Sequence, residues 1–353
     1  MAQAPTAAGL DHEQVVIHHG RRSSLPVIVA VHSTRLGPAV GGTRLWTYPD
    51  WRDGLADALR LSEAMSLKNA AAGLDCGGGK AVIALPPGTV LSAERRDAVM
   101  RDLGDLVGTL AGALIVAEDV GTNAHDMLVV RERTRWAGGL PASSGGSGEP
   151  AEPTAIGVYA AIEATARQMF GTADLSGRHA CIIGLGQVGE RLARRLAAAD
   201  VQLTVSDIDT SKRAIASELG AEWTDPDDAM FVAADLLIPA ALGGILRPDT
   251  VPRLRCAAVV GAANNQLADD SVAGLLSQRG ILWAPDFIAN AGGVVFGVAV
   301  SLAGKPAADA LEEVRGIGDR LAWIFDRAQQ MSVPPLSVAL ADARARIDMA
   351  PAR

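Results

Sequence analysis

The sequence predicts an α/β protein of two domains: an N-terminal α/β substrate domain, then a Rossmann-type, doubly wound domain. At 353 residues the chain is long enough for two separate cores. A stretch rich in Gly, Ser and Pro, GGLPASSGGSGEPAEP (Gly138 to Pro153), interrupts it with the composition of a linker. Beyond that break, ACIIGLGQVGERLARRLAAADVQLTVSDID (Ala180 to Asp209) runs strand, glycine turn, amphipathic helix and strand, the order of a βαβ unit. The expected division is therefore residues 1–145 and 146–324, with a helix at about 325–353 packing back on the first domain and an active site in the cleft between the two.

Composition narrows the function. Hydrophobic residues are 49% and charged residues 20% of the chain, the balance of a globular protein rather than a disordered one. A net charge of -8 argues against nucleic acid as the main partner. No apolar run reaches the ~20 residues of a membrane span, so no membrane partner is expected. The start, MAQAPTAAGLDHEQ, lacks the basic and apolar regions of a signal peptide, and a cytoplasmic location is expected. Cys76, Cys181 and Cys256 are few, odd in number and far apart, which implies neither a disulfide framework nor a metal site.

In the first domain, HEQVVIHH (His12 to His19) and LPVIVAVHS (Leu25 to Ser33) read as strands, and their histidines as structural rather than ligands. LGPAVGGTRLW (Leu36 to Trp46) reads as a Gly/Pro-punctuated loop that sets Gly41 and Gly42 beside Arg44. That loop suits either a simple turn or a backbone closing on an anionic group. WRDGLADALRLSEAMS (Trp51 to Ser66) is helical and leads into SLKNAAAGLDCGGGKAVIALP. This segment holds Lys68 and Lys80, two of only four lysines among 32 lysines and arginines. Arg cannot lose its proton, whereas a Lys in apolar surroundings readily does, so a chain this rich in Arg is expected to keep Lys where deprotonation matters. Gly77 to Gly79 are expected to bend the backbone just before Lys80. Ser92 to Gly112 is a helix, and ALIVA (Ala113 to Ala117) is a strand ending in Glu118 and Asp119. Asp119 suits both the active-site end of an open sheet and an N-cap for the next helix.

The second domain opens with a helix from Thr154 to Phe170. In the fingerprint that follows, Gly184 makes the tight turn, Gly186 admits a pyrophosphate and Gly189 lets helix and strand press together. The helix N-terminus faces the phosphates, and Asp207 stands at the distance from which a carboxylate takes ribose hydroxyls. Asp207 would repel a 2'-phosphate, favouring NAD over NADP, although Ser206, Lys212 and Arg213 lie close by. ADLLIPAALGG, AAVVGAANN and ILWAPDFIANAGG each pair an apolar strand with Gly, Asn or Pro at its exit. Asn264, Asn265 and Asn290 there suit either a ligand or an αL turn. The tail from Ala307 is helical and broken at Pro334–Pro335.

LGPAVGGTR, SLKNAAAGLDCGGGKAVIALP, AEDVGT, PTAIGVY, GLGQVG with Asp207, GAANNQLAD and APDFIANAGG together resemble the glutamate/leucine/phenylalanine/valine dehydrogenases, in that family's order over about residues 12–293. The resemblance is nearest to the enzymes for apolar amino acids. It implies NAD-dependent, reversible oxidative deamination of an L-amino acid to its 2-oxo acid and ammonia. It implies further that Lys68 grips the substrate carboxylate, that Gly41 and Gly42 line the pocket floor, and that Lys80 polarises the reacting carbon and activates water. Asp119 would shuttle a proton at the amino nitrogen. Thr154, Gly184, Gly186, Gln187, Val188, Gly189, Asp207, Ala240 and Asn264 would hold NAD, with Asn290 near the substrate. Val40, Val294 and Gly297 fall where the family's side-chain pocket is lined, and their small size favours a phenylalanine-like substrate, then valine or leucine. Phe296 replaces a polar residue, and Ala240 with Ala241 replaces the Cys-Ala common in relatives. A homo-oligomer, dimer or higher, is expected on the same ground. Two alternatives remain open: a specialised biosynthetic dehydrogenase or reductase for a bulky, for example indolic, amino or 2-oxo acid, and a non-catalytic NAD-binding sensor.

Overall fold

The computed structural model describes residues 11–351. They divide into two compact units: residues 11–149, 300–304 and 343–351, and residues 150–299 and 305–342.

The first unit is built on a mixed five-stranded sheet. Its elements are β1 (Gln14–His19), β2 (Pro26–Ser33), β3 (Ala39–Thr47), α1 (Trp51–Ala71), β4 (Gly77–Leu85), α2 (Ala93–Thr109), β5 (Leu114–Glu118) and α3 (Ala124–Arg131). The strand order is β1-β2-β4-β3-β5; β1 and β2 run antiparallel to their neighbours, while β3 runs parallel to both β4 and β5. Val99, Leu103, Leu106 and Leu110 recur at helical spacing and are all buried against one face of the sheet.

Two expectations fail here for one reason. Leu36 to Trp46 is mostly strand rather than loop, and Gly77 to Gly79 lie in β4 rather than in a bend. These glycines serve close packing: a Cβ on Gly78 would lie 2.0 Å from the Ser66 amide nitrogen, and one on Gly41 would lie 1.7 Å from the Gly79 carbonyl. Helix α1 answers with a stripe of small residues, Gly54, Ala58, Ser62 and Ser66, all buried at i, i+4 spacing. Of the strand histidines, His32 hydrogen-bonds Ser66 Oγ at 2.8 Å, a structural role as expected, and His12, just ahead of β1, bonds Ser62 Oγ at 2.8 Å.

The second unit carries an all-parallel sheet. Its elements are α4 (Ala151–Phe170), β6 (His179–Ile183), α5 (Gln187–Ala198), β7 (Gln202–Ser206), α6 (Arg213–Leu219), β8 (Glu222–Trp223), α7 (Pro226–Ala229), β9 (Ala234–Pro239), β10 (Cys256–Val259), α8 (Ser271–Gln278), β11 (Leu282–Trp283), α9 (Asp286–Ala289), α10 (Gly292–Ser301), α11 (Ala307–Arg315), α12 (Ile317–Met331) and α13 (Pro335–Met349). Helix α4 begins three residues before Thr154. The strand order β11-β10-β9-β6-β7-β8 reverses direction between β6 and β9, the doubly wound switch point at which such sheets take ligands. Leu336 and Leu340, expected against the first domain, instead join the core of the second unit around Leu237, Val259 and Trp283. What belongs to the first unit is the end of α13, where Arg346 donates to the carbonyls of Ala70, Gly73 and Leu74 at the C-terminus of α1.

Candidate active site

The first unit brings Lys80 and Asp119 together. Lys80 points from a central strand that is buried along its whole length, and it is only 4% exposed itself. Its Nζ donates to Asp119 Oδ2 at 2.7 Å. Asp119 follows the last residue of β5, one strand beyond β3, and it fits there because residue 42 is glycine: a Cβ at Gly42 would lie 2.6 Å from Asp119 Cβ. The turn is pinned by Thr122, whose Oγ1 accepts from the Asp119 amide at 2.9 Å and donates to the Thr43 carbonyl at 2.8 Å. Asn123, not Asp119, caps the following helix, so the capping alternative for Asp119 is set aside.

Burial sets the electrostatics of this pair. Desolvation disfavours the ammonium and lowers the pKa of Lys80, with the like charge of Arg44 adding to the effect and the Asp119 carboxylate opposing it. Burial alone would raise Asp119, but the positive charges of Lys80 and Arg44 outweigh it and hold the carboxyl below its ordinary range. The result is a carboxylate that stays ionised beside an amine that gives up its proton more easily than an exposed lysine, the pairing that acid–base chemistry at a carbon–nitrogen bond requires.

Lys68 is half-buried in the last turn of α1, two residues past Ser66, whose backbone packs on Gly78. Its neighbour Asn69 is fully buried and donates to the carbonyls of Gly77 at 2.6 Å and Val40 at 3.3 Å, locking the end of α1 to the starts of β4 and β3. Val40, Gly41 and Gly42 lie along β3. Three residues join the Lys80–Asp119 pair that sequence reasoning had not placed there. Arg44 donates to Asp119 Oδ2 at 3.2 Å and to Asp57 Oδ2 at 2.8 Å, and Tyr48 donates to that same Asp57 oxygen at 2.8 Å. Arg44 had been noted only as a neighbour of two glycines, and Asp57 is one of several charges on a helix, with no distinguishing signal.

The second unit collects the remaining candidates at the strand exits. Gly184 has φ +101° and makes the turn out of β6. A Cβ on Gly189 would lie 1.9 Å from the Gly184 carbonyl, so α5 and the turn touch backbone to backbone. A Cβ on Gly186 would meet nothing within 4 Å, so the space beside it is open. Helix α5 begins at Gln187 and Val188 without a side-chain cap, leaving its first-turn amides to an anion. A dinucleotide fits this cradle: glycine contributes bare backbone where a pyrophosphate approaches, and the helix dipole favours its charge. Asp207 also braces the turn, accepting from the amides of Leu185 at 2.6 Å and Asp209 at 2.8 Å. Ala240, at the β9 exit, donates its amide to the Ile183 carbonyl at 2.8 Å. Asn290 Nδ2 donates to Asn264 Oδ1 at 2.9 Å, linking the exits of β10 and β11, while Asn265 adopts φ +52° and serves a turn. Thr154 stands in the first turn of α4, where Gly293 of α10 comes close enough that a Cβ would lie 2.9 Å from Thr154 Oγ1. Val294 and Gly297 lie half-buried on α10.

Among the described residues no three His, Cys, Asp or Glu side chains are grouped to hold a metal, and the three cysteines are free thiols. No described helix is long and apolar enough to cross a membrane.

Residues 12–136 match the family described as Glu/Leu/Phe/Val dehydrogenase, dimerisation domain, and residues 205–302 match Glutamate/Leucine/Phenylalanine/Valine dehydrogenase. Residues 158–241, overlapping the second of these, match the NAD-binding domain of D-isomer-specific 2-hydroxyacid dehydrogenases. The chain is 40% identical to leucine dehydrogenase of Thermoactinomyces intermedius over 341 residues, covering 96% of this chain and 92% of that protein. It is 41% identical to phenylalanine dehydrogenase of Lysinibacillus sphaericus over 324 residues, covering 90% and 84%. Among solved structures, that of L-tryptophan dehydrogenase from Nostoc punctiforme superposes with a TM-score of 0.84 at 35% identity, covering 96% of each chain.

Proposed function

The chain belongs to the glutamate/leucine/phenylalanine/valine dehydrogenase family and is an oxidoreductase acting on amino acids with a nicotinamide cofactor; from that premise we propose that it catalyses NAD-dependent, reversible oxidative deamination of a hydrophobic L-amino acid. The observation that carries this reading is the 2.7 Å contact of a buried Lys80, whose pKa is lowered by desolvation, with Asp119, whose pKa is lowered by the charges of Lys80 and Arg44.

In this reading Lys68 takes the substrate carboxylate, and Gly41 and Gly42 line the pocket floor while letting β4 and Asp119 pack against β3. The second unit would hold NAD with Thr154, Gly184, Gly186, Gln187, Val188, Gly189, Asp207, Ala240 and Asn264. Lys212 lies 4.0 Å from Glu190 and Arg213 lies 3.6 Å from Asp225, so the two cations nearest Asp207 are each offset by an acid, which supports NAD over NADP. NAD, when bound, would supply the hydride acceptor for the substrate Cα, so that the amine is oxidised to an iminium ion. Asp119 takes the proton from the amino group before that transfer. Neutral Lys80 then removes a proton from a water attacking the iminium carbon, Asp119 gives its proton to the nitrogen, and the freed Asp119 carboxylate takes the hydroxyl proton as ammonia leaves the carbinolamine and the 2-oxo acid forms. Asn290 lies beside the substrate. A homo-oligomer is proposed from the family's dimerisation domain.

Phenylalanine-like side chains are the favoured substrates, because Val40 and Gly297 are small where the side chain would lie; valine and leucine come next. A second reading, an indolic substrate, draws support from the likeness to a tryptophan dehydrogenase structure. One experiment decides among them: NADH formation at alkaline pH with Phe, Tyr, Trp, Leu, Ile and Val. Fastest turnover of Phe is expected; fastest turnover of Trp selects the indolic reading, and silence with all six refutes both. Lys80→Ala should lower kcat by about 10³-fold or more while NAD affinity stays within about twofold, measured by turnover and fluorescence titration. Undiminished turnover in that variant removes Lys80 from the mechanism.

A further inference from the structure

Asp119 has two cationic partners, and they differ in kind. Lys80 Nζ and Arg44 Nε both donate to Oδ2, at 2.7 and 3.2 Å. In the reaction proposed above, on which this inference rests, Lys80 alternates between ammonium and amine. Each time it is neutral, Asp119 loses the charge of its nearer partner in a site where the carboxylate is only a quarter exposed. A carboxylate left there without a counter-charge would take up a proton or turn away toward water. Arg44 cannot lose its proton.

Arg44 is itself held. Its Nη1 donates to Asp57 Oδ2 at 2.8 Å, Tyr48 OH donates to the same oxygen at 2.8 Å, and Arg60 Nη2 donates to Asp57 Oδ1 at 2.6 Å. Asp57 and Arg60 stand on α1 and Arg44 on β3, so the guanidinium is fixed from the helix side while it reaches Asp119 on the sheet side. We propose that Arg44, braced by Asp57 and Tyr48, is a positioning residue that keeps Asp119 paired and oriented while Lys80 is without its proton. The charged groups acting on Lys80 are then Asp119, Arg44 and Asp57, with Tyr48 and Arg60 acting through Asp57.

The surroundings allow a direct test. Arg44, Trp46, Tyr48, Asp57 and Arg60 line an open hollow of about 540 Å³, so a cation the size of guanidinium can reach the space that Arg44→Ala would leave. With the full chain, NAD and its best amino acid, Arg44→Ala is expected to lower kcat about tenfold or more with little change in KM for NAD. The rising limb of its deamination pH profile should move to higher pH, because losing a like charge raises the Lys80 pKa. Millimolar guanidinium chloride should restore several-fold of the lost kcat and move the limb back, whereas sodium chloride at equal ionic strength should not. Arg44→Lys keeps the charge but cannot span both carboxylates, and should show a limb near its original pH with a reduced kcat. Parental kcat and pH profile in Arg44→Ala, or a loss that guanidinium leaves untouched, overturns the proposal. Should Arg44→Ala fail to fold, Tyr48→Phe takes its place, with a several-fold lower kcat expected and an unchanged kcat overturning. A silent Arg44→Ala beside a dead Lys80→Ala refutes this proposal alone; an active Lys80→Ala refutes the reading beneath it.

Discussion

Two glycine-rich stretches, one in each unit, carry the same residue for opposite purposes. Gly77 to Gly79 sit inside a buried strand, and the atoms a side chain would strike belong to α1 and to the neighbouring strands. Gly184 to Gly189 run from a turn into the first turn of α5, and of these three glycines Gly186 faces open space. The first set lets protein approach protein so that Lys80 can be buried; in the second, Gly186 leaves backbone bare at the place proposed for the dinucleotide. The comparison teaches that a glycine's role is decided by what lies within a methyl's reach of its Cα, not by how many glycines stand together.

Substitutions at the two stretches can break that distinction. Gly78→Ala places a Cβ 2.0 Å from the Ser66 backbone nitrogen, which no side-chain rotation relieves, and should cost about 3 kcal/mol or more or prevent folding, read by thermal unfolding. Gly189→Ala, with a Cβ 1.9 Å from the Gly184 carbonyl, should destabilise by a comparable but smaller amount, about 2 kcal/mol, since α5 can shift outward. Gly186→Val is the sharpest contrast: stability within about 0.5 kcal/mol of the parent, with NAD affinity lowered about tenfold or more, by calorimetry with and without cofactor. A large loss of stability in Gly186→Val, or none in Gly78→Ala, dissolves the comparison. The smallest effect concerns pH. Because the Lys80 pKa is lowered, the deamination rate should climb with pH and level off below the ~10.4 of an ordinary lysine. Levelling only above that value would mean that the titrating group is not this amine.

What was legible in the sequence follows the same division. The fingerprint turn, its helix, the following strand and Asp207 could be read in order, because holding a pyrophosphate imposes fixed local spacing. Gly77 to Gly79 could not be read correctly, because the reason for them, Ser66 and Leu114, lies elsewhere in the chain. The strand Ala39–Thr47 was hidden for a related reason: its Gly/Pro flanks imitate a loop, and only its neighbours β4 and β5 show that Gly41 and Gly42 are pleated between them. Lys80 stood out by rarity, yet its pairing with Asp119 spans 39 residues and came from family resemblance rather than from periodicity. Asp57, on the half-exposed side of an amphipathic helix, carried no mark of its contact with Arg44.

The grip of Arg346 on the end of α1 gives the last residues of the chain a duty out of proportion to their number. Its guanidinium takes the Ala70 carbonyl in the terminal turn that carries Lys68 and the Gly73 and Leu74 carbonyls just beyond it, and it also reaches Asp75 at 2.8 Å. A proteolytic nick or a premature stop ahead of residue 346 would thus loosen Lys68, the residue proposed to bind the substrate carboxylate. The damage would surface as weaker amino acid saturation long before the nucleotide half of the enzyme felt it.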